Sequence, residues 1–179
     1  MPVDMKTVIS NTFVSMARQR GIDKITVKAL IDTCNISRQS FYYHFRDIME
    51  VIEWTMERAT KNTLDKSLEA DTPEQAFGIL FSAVVEDRIL VLKLLNSQRR
   101  EQIEKLFVQS VRTYLQELIR NKPHNISLDY ADIEVALDFW AFGIAGLLFK
   151  CCEQNQTDAK GLAKQICRLL PEKNDQDKK

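Results

Sequence analysis

Apolar side chains recur at three- and four-residue intervals along most of the chain, a period that predicts helices almost throughout. Val8, Ile9, Thr12, Phe13, Met16 and Ala17 share one helical face and predict a first helix over residues 3–19. Gly21 stops it, because glycine takes positive φ at little cost. Thr26 is placed to cap a short second helix over 27–33 that buries Val27, Leu30 and Ile31. Cys34, Asn35 and Ile36 then make a three-residue turn, in which Asn35 tolerates the left-handed backbone that reverses the chain. Ser37 caps a third helix over 38–44.

The same pattern continues. Asp47 is expected to cap a long helix with Ile48, Ile52, Thr55, Met56 and Ala59 on one face, ending in the polar stretch 68–73. Pro73 suits the first turn of the next helix, whose apolar side chains are Phe77, Leu80, Phe81 and Val84. Asp87 is placed to cap a short helix through Leu95. Ile103, Leu106, Phe107, Ser110, Tyr114 and Leu118 predict another, stopped over 121–123. Ser127 opens the longest C-terminal helix, to about residue 152, and Thr157 opens a last one, to residue 170 before Pro171. The polar residues 171–179 read as a disordered tail.

Composition narrows the choice of fold. Only 5 Gly and 4 Pro punctuate 179 residues, too little turn chemistry for a many-stranded β protein, so the expected class is all-α. The longest uncharged apolar run, residues 139–149, has 11 residues, short of the roughly 18 that suggest a spanning helix, so no membrane partner is expected. The start lacks the charged-then-apolar pattern of a signal peptide, which implies a cytoplasmic protein with Cys34, Cys151, Cys152 and Cys167 reduced. No CxxC pair occurs and the two histidines, His44 and His124, lie far apart, so neither a metal nor a cofactor is expected. The chain has no GxGxxG, GxxxxGK[ST], HExxH or GxSxG, and an enzyme reading finds no residues to carry it.

Charge changes the picture more. The net charge is zero, yet residues 1–46 hold seven basic groups (Lys6, Arg18, Arg20, Lys24, Lys28, Arg38, Arg46) against Asp4, Asp23 and Asp32, a local +4 on a body of −4. A basic end on an acidic body is the asymmetry expected where one end meets a polyanion. The second and third helices have the layout of a helix-turn-helix. Arg38, Gln39, Ser40, Tyr42, Tyr43 and His44 are set outward, and Phe41 and Phe45 inward. Each outward type has a use on DNA: Arg bonds guanine bidentately, Gln bonds adenine, Ser reaches base or phosphate, and Tyr and His donate to phosphate oxygens.

Residues 25–54, ITVKALIDTCNISRQSFYYHFRDIMEVIEW, resemble the N-terminal signature of the TetR family of bacterial transcriptional regulators. The match lies in the Ile25, Thr26, Val27 helix start, the Ile36, Ser37, Arg38 entry to the third helix, and Phe41, Tyr42, His44, Phe45 followed by an acidic amphipathic helix. The resemblance is specific over residues 5 to about 57. It implies a sequence-specific DNA-binding regulator that places Thr26, Lys28 and the exposed part of 37–44 on double-stranded DNA at a palindromic operator. Two positions depart from the pattern: the turn glycine is Asn35, and the lysine that often starts the fourth helix is Ile48, which leaves Arg46 to supply that phosphate contact.

The expected organisation is therefore a three-helix helix-turn-helix domain over 1–46, a helical-bundle effector-binding and dimerisation domain over 47–170, and the tail. Residues 133–151 are apolar nearly all round, with small residues at Ala136, Ala141, Gly143, Ala145 and Gly146, and such a helix must be covered on every side. In the TetR-like reading it joins the last helix in a two-fold homodimer. The residues expected there are Ile133, Leu137, Trp140, Ile144, Leu147, Leu148 and Cys151, with Leu162, Ile166 and Leu169 of the last helix. Met56, Phe81, Phe107, Tyr114, Phe139 and Trp140 are expected to line a pocket for a small apolar effector. The body also resembles, more weakly, the regulators related to dihydroxyacetone-kinase activators, through its length and the FWAFGIAGLLF stretch. That leaves a second reading, a helical regulator-like subunit acting through a partner protein.

Overall fold

The computed structural model describes residues 4–121, 130–156 and 158–169, and among these every regular element is helical. The order is α1 (Met5–Arg20), a 3-10 turn (Ile22–Lys24), α2 (Val27–Cys34), α3 (Arg38–His44), α4 (Ile48–Leu68), α5 (Pro73–Glu86), α6 (Arg88–Leu95), α7 (Arg100–Asn121), α8 (Tyr130–Glu153) and α9 (Ala159–Cys167). The expected starts at Val3 and Ser127, the stop at Pro123, the cap at Thr157 and the end at Leu170 lie outside the described residues.

Local chemistry fixes most helix ends. Asp4 caps α1 by accepting from the Lys6 N–H, and the Thr7 hydroxyl, 2.6 Å away, does most to hold its carboxyl below the ordinary range. Gly21 ends α1 at φ 77°. Asp47 Oδ1 accepts from the Glu50 N–H at 3.0 Å, and Glu50 reaches back to the Arg46 N–H, the first cause of its lowered pKa. Thr72 Oγ1 takes the Gln75 N–H, with Pro73 in the first turn of α5.

Two expected ends are corrected. Asp87 precedes α6 but makes no capping bond, because its carboxylate is taken by the guanidinium of Arg18. The last helix is capped by Asp158, which accepts from the Gly161 N–H at 2.8 Å, and it ends at Cys167.

The chain packs as two compact units, Met1–Ala59 with Asp87–Phe107, and Thr60–Glu86 with Val108–Lys179. The division falls inside α4 and α7 rather than at residue 46, because α6 packs on α1 and so joins the N-terminal helices. In the first unit Ile9, Phe13, Leu30, Phe41, Phe45 and Val51 are at most 1% exposed and form one core. On α4 the buried face is Ile48, Val51 and Ile52, while Thr55 and Met56 are half-buried and Ala59 is exposed.

In the second unit α5 packs on α8 and α9. Tyr114 of α7 is fully buried, its hydroxyl 2.8 Å from Ser67 Oγ and 2.9 Å from the Ala76 carbonyl oxygen, and burial pushes its pKa up to about 12. Arg112 of α7 pairs with both Glu134 and Asp138 on α8. By length and composition Asp132–Glu153 could cross a membrane, with mean hydropathy 1.7, but Leu137, Ala141, Ile144, Ala145 and Leu148 are buried in this unit as core.

Candidate nucleic-acid interface

The helix-turn-helix is built by three local devices. Thr26 Oγ1 accepts the Ala29 N–H at 3.1 Å to start α2. Asn35, at φ 52° and ψ 48°, ends it, with Ile36 N–H bonding the Ile31 carbonyl and Asn35 N–H that of Asp32. This paired pattern closes a helix through a left-handed residue, and Asn supplies it without glycine. Ser37 Oγ then accepts the Ser40 N–H at 3.0 Å and opens α3 within two residues of the turn.

The faces of α3 divide cleanly. Phe41 and Phe45 are buried at 0% and 1%, their rings 6.2 Å apart, which anchors the helix by its apolar side. Arg38 and Gln39 are exposed at its start, and Tyr43 is 84% exposed. Tyr42 is 46% exposed, its ring edge-on to Phe41 and 5.4 Å from the Arg38 guanidinium, a contact that restricts both polar tips. Ser40 and His44 are half-buried, the His44 ring standing edge-on to Tyr43 at 4.9 Å. Lys28 is exposed on α2. Thr26 and Ser37 are exposed too, but their hydroxyl oxygens already serve as caps, so each has its proton rather than an acceptor to offer a phosphate.

Arg46 is exposed beyond α3, yet its Nε pairs with Glu50 at 3.2 Å, so a phosphate must compete with that carboxylate. Lys6 of α1, counted with the basic end but not named as a DNA contact, stands 5.2 Å over the Phe45 ring.

The six residues expected to line an effector pocket are dispersed by burial. Phe81 and Tyr114 are fully buried core of the second unit, and the Tyr114 hydroxyl is already bonded. Phe139 is 71% exposed, Trp140 and Phe107 are half-buried, and Met56 packs on the core of the first unit. The residues expected at a dimer interface divide as well. Leu137, Ile144, Leu148, Cys151 and Ile166 are covered within the chain, Ile133, Leu147 and Leu162 are half-buried, and Leu169 is exposed. The open apolar face of α8 instead carries Val135, Phe139 and Phe142 beside the exposed Gly143 and Gly146. Burial pushes the Cys151 and Cys167 thiols up, away from thiolate reactivity. Among the described residues no three His, Cys, Asp or Glu side chains gather as metal ligands would.

A capped, three-residue-turn helix pair with a polar and aromatic outer face defines a helix-turn-helix DNA-binding protein. Comparison with known families agrees. Residues 14–53 match the model described as bacterial regulatory proteins of the tetR family, and residues 71–172, more than half of the chain, match a transcriptional regulator C-terminal region of the same family. The chain belongs to the TetR family of transcriptional regulators.

Solved structures share the fold across nearly the whole chain. They include the dihydroxyacetone kinase operon activator DhaS, 17% identical, with a TM-score of 0.71 over 93% of this chain and 94% of that one. Lin0861 from Listeria innocua is 19% identical, with a TM-score of 0.69 over 96% of each chain. The reduced form of NemR from E. coli is 15% identical, with a TM-score of 0.55 over 96% of this chain and all of that one. At these identities the likeness concerns the fold. No curated protein matches the sequence.

Proposed function

We propose that the protein binds a palindromic operator as a homodimer in the cytoplasm, with residues 1–46 reading DNA and residues 47–170 supplying dimerisation and a site for a small apolar effector. The observation that carries the reading is the division of α3, anchored by Phe41 and Phe45 and presenting Arg38, Gln39, Tyr42 and Tyr43 outward. In this account Arg38 and Gln39 meet base edges. Lys28, Tyr42, Tyr43, His44 and Arg46 meet phosphates, and Thr26, Ser37 and Ser40 donate from the helix starts.

Dimerisation is assigned to the open face of α8, around Val135, Phe139 and Phe142, with Leu169 beyond α9. Gly143 and Gly146 on that face leave room for a second helix to approach closely. The match of residues 14–53 and 71–172 to models of this regulator family supports the reading.

A gel shift against the DNA flanking the protein's own gene tests the reading. A complex that survives excess random DNA is expected. Equal displacement by random and flanking DNA would refute sequence-specific recognition there.

A further inference from the structure

A groove of about 440 Å³ opens in the first unit between the C-terminal end of α1, with the 3-10 turn after it, and the outer face of α6. Three cations rim it: Arg20 and Lys24, both exposed, and Lys93, whose stem lies beside Gly21. None of the three forms an ion pair among the described residues. Asp23 is the single carboxylate in the lining, and both of its oxygens accept from the Gln98 N–H at 3.2 Å. The wall between the cations is aliphatic, with Ile89 61% exposed and Leu92 half-buried.

Three cations against the one carboxylate of Asp23 leave the rim net positive, and like charges around one concavity repel one another. The aliphatic wall leaves apolar surface in water beside them. A single kind of ligand relieves both: a negatively charged head on a short hydrocarbon body. A bare phosphate or a DNA backbone would use the cations and leave Ile89 and Leu92 wet, and a neutral hydrocarbon would do the reverse. The volume lies within the range of small-molecule sites, and a medium-chain molecule fits it without needing a second protein.

We propose that this groove binds a small amphipathic anion of the aliphatic carboxylate class, its head between Lys24, Arg20 and Lys93 and its chain along Ile89 and Leu92. The groove shares no lining residue with those expected at the effector pocket or on the outer face of α3. It gives the C-terminal end of α1, which leads through the 3-10 turn into α2 and α3, a ligand contact of its own.

Calorimetric titration of the full chain with octanoate tests the assignment, with 1-octanol and inorganic phosphate as probes lacking one half of the chemistry. Octanoate should bind with an affinity that weakens as salt rises, and each control should bind at least about tenfold more weakly, as loss of a charge-assisted contact or of the apolar one requires. Lys93→Glu and, separately, the exposed Lys24→Glu should each weaken octanoate by about tenfold or more, and Lys160→Glu in the second unit should not. Unchanged octanoate affinity in both groove variants would overturn the proposal, as would octanol binding equally well. Loss of operator binding in the groove variants without octanoate present would also overturn it, since the cations would then be DNA contacts, while leaving the DNA-binding function itself intact.

Discussion

At the scale of single residues, the same chemistry serves opposite ends in the two units. Tyr42 is exposed on α3, while Tyr114 is sealed in and bonded to Ser67 and Ala76. Because burial raises the folded pKa of Tyr114 to about 12, above the usual value near 10, the protonated form is favoured by folding. Its contribution is complete below about pH 10 and is lost as pH rises toward 12. Tyr114→Phe should therefore lower stability at pH 7 by about 1 kcal/mol and flatten the decline above pH 10, which in the parent is about 1.4 kcal/mol per pH unit for this group. Denaturant unfolding at pH 7 and pH 11 checks this, and identical pH slopes in the two proteins would contradict it.

On the DNA side, Arg38→Ala or Gln39→Ala should cost about 1–3 kcal/mol at the operator and relax base preference. Lys28→Ala should weaken binding to operator and random DNA alike, and Tyr42→Phe should cost about 1 kcal/mol of DNA affinity with no loss of melting temperature. Fluorescence anisotropy on the two DNAs distinguishes these roles. Equal losses on both for Arg38→Ala would remove it from base reading.

At the scale of elements, what could be read from the sequence was whatever a few neighbouring residues decide. Thr26, Asn35, Ser37 and Asp47 act on backbone groups within a turn or so of themselves, so their roles follow from type and position. Asp87 failed as a cap because its partner, Arg18, lies 69 residues away, and no local pattern announces it. The open face of α8 was hidden for another reason. Both sides of this helix are apolar, so periodicity marks no boundary between core and surface, and the residues expected at the interface divide between buried ones, such as Leu137 and Ile144, and half-buried ones, such as Ile133 and Leu147. The effector pocket has no local signal in the sequence: an aromatic in a helical bundle reads alike whether it packs or lines a cavity.

The two faces of α8 should respond differently to substitution. Leu137→Ala should cost about 2–5 kcal/mol of folding stability, as for other buried leucines. Phe139→Glu, at an exposed position, should leave the fold intact and dissociate the dimer. Light scattering with thermal melts checks both, and a Phe139→Glu protein that stays dimeric would move the interface elsewhere. Within α3, Phe45→Ala should cost about 3–5 kcal/mol and remove DNA binding through loss of the helix itself, visible as lost cooperativity in melting of the first unit.

For the whole molecule, zero net charge conceals the separation that matters, +4 over residues 1–46 and −4 over the rest. The basic end attracts the phosphate backbone, and the acidic remainder disfavours lying flat along it, so DNA association should weaken steeply with salt without becoming indiscriminate. A single α3 offers few base contacts, and in the proposed dimer a second α3 supplies the affinity that one lacks. Nuclease or hydroxyl-radical footprinting of the wild-type protein on the DNA flanking its own gene tests that claim most directly. The account predicts two symmetric protected half-sites with centres about 34 Å apart, one turn of DNA, or a multiple of that, both lost together in Phe139→Glu. A single protected patch, or a footprint that persists unchanged in a monomeric Phe139→Glu protein, would contradict it.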